Sequence, residues 1–314
     1  MIVVCGEALI DLVPAPGGLG YLARPGGSPA NVATALGRLG VPTSLLARLS
    51  DDHFGRLIRR HLVESHVDLS LAVDVPERST VAMVDLTPHR DAGYTFFIEG
   101  GADDGWCADG LAALPAGADA LHISGSLALA VATMGEAVEA LLIRERGRRV
   151  ISFDPNPRPA LTPDVGALRP RIEAWLRHTD LVKASAEDLA WTLPGESVVD
   201  IAARWRSAGP ALVVVTKGGD GVYALGPAGA VDLPGMPADL VDTVGAGDAF
   251  TAGLLAALAG AELLSRERLD TLSREDLVTC LDRAQRVAAL TCARAGADPP
   301  WLAELTGTQD ATHH

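Results

Sequence analysis

The segment of this sequence that most clearly suggests chemistry is Gly245-Ala246-Gly247-Asp248, which leads directly into an apolar helical run. Two glycines within three residues let backbone amides converge, and a helix that begins there adds the positive end of its dipole, so we expect an anion site. A carboxylate beside a bound phosphate makes sense as a base that accepts the proton of an attacking hydroxyl. The alternative is an acidic residue that caps a helix after a glycine turn.

Two common nucleotide-binding motifs can be excluded. The chain has no GxxxxGK[ST] segment, which rules out a P-loop. The hexapeptide that begins at Gly245 has Phe250 where a dinucleotide fingerprint needs its third glycine, and it lies late in the chain.

A second glycine-rich patch, Gly26-Gly27-Ser28-Pro29-Ala30-Asn31, begins another predicted helix, and Asp11 precedes it at the end of the first strand region. Together they offer a carboxylate, a side-chain amide and bare backbone. Vicinal hydroxyls of a sugar require such paired acceptors and donors, because a missing partner leaves a buried polar group unsatisfied. The alternative for this patch is a capped helix after a turn.

Short apolar strands alternate with amphipathic helices from about residue 28 onward. This pattern predicts the α/β class, with a mostly parallel sheet covered by helices on both faces. Ligands are then expected at the edge where the carboxyl ends of the strands meet. The clearest predictions are helices that begin at Ser28 and Asp52, and strands at 120–124, 150–154, 181–184 and 211–216.

Two stretches, about residues 9–25 and 71–100, show strands and turns without an intervening helix. We expect them to form a small second sheet that lies over that edge as a lid. No linker or repeat marks a second domain, so residues 1–305 are predicted to form one domain. Residues 306–314 are a polar tail, and its final His313-His314 pair is typical of a purification tag.

Acidic residues outnumber basic ones by 40 to 26, a net charge of −14, and 48% of the residues are hydrophobic. This composition supports a sizeable core and disfavours binding to nucleic acid or to an anionic membrane. The four cysteines lack metal-binding spacing, and we find neither a signal peptide nor a bilayer-spanning run. These features predict a soluble cytoplasmic protein. Only two of the basic residues, Lys183 and Lys217, are lysines.

The two glycine-rich segments resemble the two signatures of the ribokinase-like (PfkB) carbohydrate kinases, in the expected order and separation. The matching stretches are GGSPANVATALGRLG and DTVGAGDAFTAGLLAAL, and the resemblance extends from Ile2 to about Trp301. It implies a three-layer α/β/α sandwich with a mostly parallel central sheet and a small β-sheet lid. It also implies that Asp248 is the catalytic base, with an anion hole at Gly245, Ala246 and Gly247 and sugar contacts from Asp11, Gly26, Gly27 and Asn31.

The resemblance further implies ATP and Mg²⁺, and it indicates where they bind. Thr216, Gly218 and Gly221 are similar to the family's TxGxxG nucleotide element, although an ordinary hairpin turn is the alternative. Lys183 and Ser185 lie at a strand end along the nucleotide. The family's NxxE element falls at Ser185 to Asp188, so the carboxylate that organises Mg²⁺ is Asp188, or Glu187 if the register slips by one. Many members also bind a monovalent cation such as K⁺ through backbone carbonyls, here in the region of Asp242, Val244 and residues 293–296.

The substrate class follows from two further segments. Asp154-Pro155-Asn156-Pro157-Arg158 is similar to the DPN segment of fructokinases and keto-deoxygluconate kinases, which implies that Asn156 and Arg158 contact substrate. A sugar acid such as keto-deoxygluconate needs a cation for its carboxylate, and the kinases that act on it typically have an arginine in the lid. The predicted lid of this chain has Ile98-Glu99 at that place, which favours a neutral hexose and a fructokinase-like branch.

Several alternatives stay open at this point. Arg24, Arg90 or Arg158 could supply the missing cation and favour 2-keto-3-deoxygluconate, and a ribokinase or nucleoside kinase is a third reading. A non-catalytic sugar or nucleotide sensor is the alternative of another class. The lid residues Val81, Met83 and Phe97 suggest an apolar outer face through which a homodimer could form.

Overall fold

The computed structural model describes residues 1–306 except 16, 18 and 87–91; Arg90 and residues 307–314 of the predicted tail therefore lie outside it. Fifteen strands occur in the described part of the chain. They are β1 (Ile2–Cys5), β2 (Leu9–Pro14), β3 (Tyr21–Gly26), β4 (Thr43–Leu46), β5 (Arg48–Ser50), β6 (Val67–Asp68), β7 (Val73–Val75), β8 (Val81–Leu86), β9 (Ala92–Phe97), β10 (Ala120–Ser124), β11 (Val150–Asp154), β12 (Leu181–Ser185), β13 (Leu212–Thr216), β14 (Val222–Gly226) and β15 (Gly229–Leu233).

Eleven α-helices lie between and after these strands in the same described residues. They are α1 (Ser28–Arg38), α2 (His53–Glu64), α3 (Ser126–Ala130), α4 (Ala132–Glu145), α5 (Val165–Leu176), α6 (Ala186–Thr192), α7 (Val198–Ala208), α8 (Ala246–Gly260), α9 (Arg266–Asp270), α10 (Arg274–Cys292) and α11 (Leu302–Thr306). The predicted elements at 120–124 and 150–154 have the same bounds in the structure. The helix predicted to start at Ser28 does so, but its N-cap is Gly27, and the second helix begins after an Asp52 cap.

The central sheet has nine strands in the order β15-β14-β13-β12-β11-β10-β1-β4-β6. All neighbours from β13 to β6 pair in parallel, and only β14 and β15 at one edge pair antiparallel. The chain leaves β1 toward β4 and later returns to β10 on the other side of β1. The crevice between the carboxyl ends of β1 and β10 is thus the topological switch point, where open α/β sheets bind ligands.

Helices cover both faces of this sheet, which confirms the predicted three-layer α/β/α sandwich. On one face, α1, α2, α8 and α10 pack against alternate residues of the strands, such as Val4 and Val214. On the other face, α4, α5 and α7 pack against the intervening residues, such as Phe153 and Val182. The side-chain alternation of a strand therefore decides which layer each polar side chain at the sheet edge faces.

A separate four-stranded sheet, the small sheet, has the order β3-β2-β8-β9 and joins the two stretches that break the alternating pattern. β2 pairs antiparallel with β3, β8 pairs antiparallel with β9, and the two hairpins meet through the parallel pair β2 and β8. β7 takes no part in it and pairs with β5 instead. Within the described residues, no helix has both the length and the apolar character needed to cross a bilayer.

Candidate active site

Asp248 lies in the first turn of α8, and two side chains of α1 hold its carboxylate. Ser28 Oγ donates to Oδ1 over 2.6 Å and Asn31 Nδ2 donates to Oδ2 over 2.9 Å. Burial raises the pKa of the Asp248 carboxyl, while these hydrogen bonds and then the charges of Lys183 and Arg158 act against the increase. The packing of α1 on α8 thus orients a buried carboxylate whose pKa stays above its ordinary value, although its hydrogen bonds and two nearby cations limit the increase.

The turn before Asp248 has the backbone of an anion site. Gly245, the N-cap of α8, has φ 75°, a conformation that favours glycine. The amide of Ala246 donates to the carbonyl of Thr243 over 3.2 Å and therefore closes the turn. No carbonyl of the described residues accepts a hydrogen bond from the amides of Gly245, Gly247 or Asp248. These three N–H groups, at the positive end of the α8 dipole, are available to an anion.

A chain of polar side chains extends from Ser28 across the switch point. Ser124, the last residue of β10, donates from Oγ to Ser28 Oγ over 2.9 Å, and Asn156 Nδ2 lies 3.5 Å from Ser124 Oγ. Arg158 Nη1 donates to Asn156 Oδ1 over 2.6 Å. The rigid segment after β11 thus reaches the same site as α1 and α8, with Asn156 held at φ 38°.

Asp11, on β2 of the small sheet, faces this site beside Gly26. A Cβ built on Gly26 would lie 2.0 Å from Asp11 Oδ2, so the glycine leaves room for the carboxylate. Burial raises the pKa of Asp11 to about 6, with Arg158 lowering it and Asp248 raising it. Asp11 also raises the pKa of the Tyr94 hydroxyl on β9, after the effect of burial. The small sheet thus brings a carboxylate and an aromatic ring toward Asp248.

Lys183 forms a buried ion pair with Asp154 below the anion turn. Their Nζ and Oδ2 atoms are 2.9 Å apart, and the side chains are only 5% and 3% exposed. A Cβ built on Gly247 would lie 3.1 Å from Lys183 Nζ. Burial raises the pKa of the Asp154 carboxyl to about 6, and Lys183 lowers it. Burial acts to lower the pKa of Lys183, but Asp154, Asp188 and Asp248 outweigh it and raise the pKa, so the ammonium stays charged.

The segment predicted to organise a metal begins at Ser185, whose hydroxyl caps α6 by accepting from the Asp188 amide over 2.9 Å. Asp188 is half-buried and acts electrostatically on both Lys183 and Asp154, whereas Glu187 is exposed. The structure therefore brings Asp188 to the site rather than Glu187. Within its described part, the chain has no cluster of three or more potential metal ligands.

The predicted nucleotide element forms a tight hairpin between β13 and β14. Thr216 pairs with Ser185 across β12 and β13. Gly218 and Gly221 have φ 56° and φ 99°, and a Cβ on Gly221 would lie 2.1 Å from the carbonyl oxygen of Leu233. The hairpin geometry by itself accounts for both glycines, so the nucleotide contacts of Thr216, Gly218 and Gly221 stay a prediction.

Lys217, in the same hairpin, donates from Nζ to Asp232 Oδ1 over 2.6 Å at the surface. The ammonium of Lys217 therefore pairs with a carboxylate on β15, whereas the ammonium of Lys183 lies beside Gly247.

Asp242 joins the two loops predicted to hold a monovalent cation. Its Oδ2 accepts from the amide of Gly296 over 2.7 Å and its Oδ1 accepts from the amide of Val244 over 3.1 Å. Both carboxylate oxygens are therefore engaged. The carbonyl oxygens of Asp242, Val244 and Ala293 accept no backbone hydrogen bond from described residues, so carbonyl ligands remain available in this region.

Four residues of the site were not assigned from the sequence as contacts. Ser28 was interpreted as a helix cap, but its hydroxyl binds Asp248. Ser124 and Asp154 end two predicted parallel strands, and that position alone was a signal that they face the ligand edge. Tyr94 was part of a predicted strand, but its direction toward Asp11 depends on the register of the small sheet.

This fold and this site together define a kinase that acts on a sugar. The profile of the pfkB family carbohydrate kinases matches residues 1–304, and the chain belongs to that family. The resemblance inferred from the two signatures is thereby confirmed.

Fructokinases are prominent among the relatives. The fructokinase of Rhizobium leguminosarum bv. trifolii is 40% identical over 88% of this chain and 85% of its own length. The structure of fructokinase with bound ATP from Xylella fastidiosa has a TM-score of 0.90 at 26% identity and covers 98% of this chain and 97% of that one. Fructokinase from Vibrio cholerae O395 in its fructose, ADP and calcium ion bound form has a TM-score of 0.82 at 29% identity, with 94% of each chain covered.

Proposed function

We propose that this protein is a fructokinase that transfers the γ-phosphoryl group of ATP to a primary hydroxyl of fructose. The observation that carries the proposal is the Asp248 carboxylate, oriented by Ser28 and Asn31 next to the unengaged amides of Gly245 and Gly247. The similar fructokinases support the choice of sugar and nucleotide, since one is described with ATP and another with fructose and ADP.

In the proposed reaction, Asp248 accepts the proton of the attacking hydroxyl. The bond from that oxygen to the γ-phosphorus forms as the bond to the leaving β-phosphate oxygen breaks. The free amides of Gly245 and Gly247 stabilise the charge on the transferred group. Lys183, held by Asp154, adds a positive charge directly below the same turn. Proton transfer is late in this reaction, so Asp248 needs no unusual basicity.

We place the sugar between the small sheet and α1, in contact with Asp11, Asn31, Asn156 and Arg158 and with the backbone at Gly26 and Gly27. Two carboxylates, Asp11 and Asp248, face the one guanidinium of Arg158, which already donates to Asn156. The carboxylate of a sugar acid would be repelled by the excess of negative charge at this site, which favours a neutral sugar. Arg24 lies opposite Asp11 in the register of β2 and β3, but its guanidinium is exposed and extends toward Gly296.

The metal ions of the proposed reaction would bind outside the sugar contacts. Asp188 fits a divalent ion, Mg²⁺ in our proposal, because its half-buried carboxylate has no hydrogen bond or ion pair with other described residues. That ion would neutralise phosphate charge, and phosphates and water would complete its shell. The free carbonyls near Asp242 and Val244 fit a monovalent cation, and a double mutant of the Vibrio cholerae enzyme is described in a fructose, ADP and potassium ion bound form.

The remaining roles are also proposals. We propose that the small sheet, strands β2, β3, β8 and β9, is a lid whose closure over the sugar excludes water and limits hydrolysis of ATP. A homodimer through its outer face is supported by Phe97, which is 47% exposed, while Val81 and Met83 are half-buried. A cytoplasmic location agrees with the use of ATP and with four cysteines that are all free thiols.

The proposed substrate is tested by measuring sugar-dependent release of ADP with fructose, 2-keto-3-deoxygluconate, ribose and adenosine. We expect the highest kcat/KM with fructose. A higher value with 2-keto-3-deoxygluconate would show that Arg158 serves a substrate carboxylate. Binding of a sugar by calorimetry without any release of ADP would instead favour a sensor.

A first mutational prediction concerns Gly26. In Gly26→Ala, the new methyl group must displace the Asp11 carboxylate, so a hydrogen bond to the sugar is lost. Because a hydrogen bond to a charged group contributes about 1.5–3 kcal/mol, KM for fructose should rise roughly 10- to 100-fold. KM for ATP should change little, as measured by steady-state kinetics with each substrate varied.

The matched control is Gly260→Ala at the end of α8, where a Cβ meets nothing within 4 Å. It should leave both constants unchanged. An unchanged KM for fructose in Gly26→Ala would remove Asp11 from the sugar site.

A further inference from the structure

The segment between α10 and α11, residues 293–301, lies against the anion turn at Gly245, and we call it the strap. The amide of Gly296 donates to Asp242 Oδ2 over 2.7 Å. A Cβ built on Gly245 would lie 2.6 Å from the Cβ of Ala297 and 2.9 Å from its Cα, so Ala297 packs directly on the turn. The backbone of the anion turn therefore rests on the strap.

Arg38, the last residue of α1, holds the strap from the other side of the helix layer. Its Nη1 donates to Asp298 Oδ1 over 2.5 Å and to the carbonyl oxygen of Pro299 over 2.8 Å. Its Nε donates to Ser65 Oγ over 3.2 Å. The guanidinium also lies over the ring of Trp301, with 5.3 Å between its central carbon and the ring centroid. Four partners therefore fix this side chain, and three of them belong to the strap.

Further contacts fix the end of the strap. The amide of Trp301 donates to Glu304 Oε2 over 2.7 Å, and Arg294 forms an ion pair with the same carboxylate. The rings of His66 and Trp301 meet edge to face, with their centroids 5.3 Å apart. These contacts close the strap on itself and on the segment after α2, whereas Arg38 joins it to α1.

α1 thus contacts the candidate active site through both of its ends. Near its start, Ser28 and Asn31 hold the Asp248 carboxylate. At its end, Arg38 holds the strap on which Gly245 rests. At about 1.5 Å per residue, its eleven residues span roughly 16 Å as one hydrogen-bonded unit. The candidate base and the anion turn are therefore positioned relative to the same helix.

We propose that Arg38 is a positioning residue for phosphoryl transfer, which acts through the strap to set the place of the anion turn relative to the Asp248 carboxylate. Arg38 lies at the opposite end of α1 from the sugar contacts, so it has no direct role in binding the sugar. The inference rests on the proposed kinase function for its kinetic consequence, but not for its structural one. Amides that stabilise a transferred group act only at a set distance from it, so a small shift of the turn lowers the rate.

The variant that tests this role is Arg38→Met, which keeps an unbranched apolar side chain and removes the charge and all donors. Asp298 and Pro299 then lose their partner, and the strap no longer holds the turn in place. We expect kcat to fall roughly 10- to 100-fold, the scale of a small misplacement of reacting groups. KM for fructose should stay close to the wild-type value, as measured by steady-state kinetics with each substrate varied.

The matched control is Arg149→Met, at a residue just before β11 and thus at the opposite edge of the central sheet from the site. The Arg149 side chain is 7% exposed and that of Arg38 is 11% exposed. Arg149 likewise pairs with one carboxylate, that of Glu145, and donates to two backbone carbonyls. Both substitutions should lower the free energy of unfolding, as measured with denaturant. A kcat of Arg38→Met equal to that of Arg149→Met, at a temperature where both are folded, would overturn the proposal.

A milder variant, Trp301→Leu, removes the ring beneath the guanidinium and leaves the ion pair with Asp298 in place. Its side chain is partly exposed, so the loss of stability should be small. We expect a fall in kcat smaller than that of Arg38→Met, again with little change in KM for fructose. A wild-type kcat in both variants would exclude a positioning role for the strap.

A last measurement does not depend on the identity of the sugar. Hydrogen exchange of the amides in residues 241–249 and 293–299 is followed without substrate. Protection of the hydrogen-bonded amides of Asp242 and Gly296 should decrease in Arg38→Met more than in Arg149→Met. Equal protection of these amides in the two variants would refute the positioning role, whichever sugar the protein phosphorylates.

Discussion

Asp248→Asn should lower kcat by at least about a hundredfold, the scale of general-base assistance. The amide cannot accept the proton of the attacking hydroxyl. It nearly matches the carboxylate in size, and its one oxygen can still accept from Ser28 or Asn31 at the start of α8. Binding of fructose and of ATP should therefore persist, as measured by calorimetry, while the rate of a single turnover falls.

Two comparisons separate this role from a general effect on the helix. Asp276→Asn removes an exposed first-turn carboxylate from α10 and should leave kcat unchanged. Ser28→Ala keeps the Asp248 carboxylate but removes one orienting donor, so its kcat should lie between those of wild type and Asp248→Asn. A kcat of Asp248→Asn equal to the wild-type value would exclude Asp248 as the base.

The second large effect is expected for Lys183→Met, in stability and in nucleotide binding together. Removing one partner of a buried ion pair leaves the other charge without compensation, which costs about 3–5 kcal/mol in the free energy of unfolding. The substitution also removes the positive charge below Gly247. KM for ATP should rise roughly 10- to 100-fold, as expected when a hydrogen bond to a charged group is lost.

A double variant distinguishes these two effects. In Lys183→Met with Asp154→Asn, the uncompensated charge is absent, so denaturant unfolding should recover much of the lost stability. KM for ATP should stay high, because no ammonium faces the phosphates. Recovery of both properties would show that Lys183 has only a structural role.

Lys217, the other lysine of the chain, provides the matched control for Lys183→Met. Lys217→Met should change KM for ATP by less than about threefold, since the loss of an exposed ion pair with Asp232 has little effect. A large rise in KM for ATP in Lys217→Met would place the phosphates along the β13 and β14 hairpin instead.

Local chemistry made much of this site predictable. Two segments can be recognised from local sequence alone, the glycine turn from Gly245 to Gly247 and the patch from Gly26 to Asn31. In each of them a tight turn, a helix start and a polar residue follow each other within a few positions. Strand bounds such as 120–124 were predicted well, because buried parallel strands are short apolar runs that end in small or polar residues.

Contacts between distant segments were not predictable in the same way. The hydrogen bond from Ser28 to Asp248 joins residues 220 positions apart, and it exists because α1 packs on α8. Asp154 was recognised only as part of a rigid segment, since its pairing with Lys183 depends on β11 and β12 being neighbours with both side chains on the α8 face.

The sequence by itself determined the α/β class, the two glycine-rich turns and the identity of the candidate base, because each depends on residues close together in the chain. Only the tertiary structure decided which of the two lysines points toward the anion turn, although both stand near the end of a strand. Lys183 lies within β12 and points to the buried face below Gly247, whereas Lys217 follows the last residue of β13 and pairs with β15. The strand order and the side-chain alternation set these directions, and neither is contained in the local sequence around a lysine.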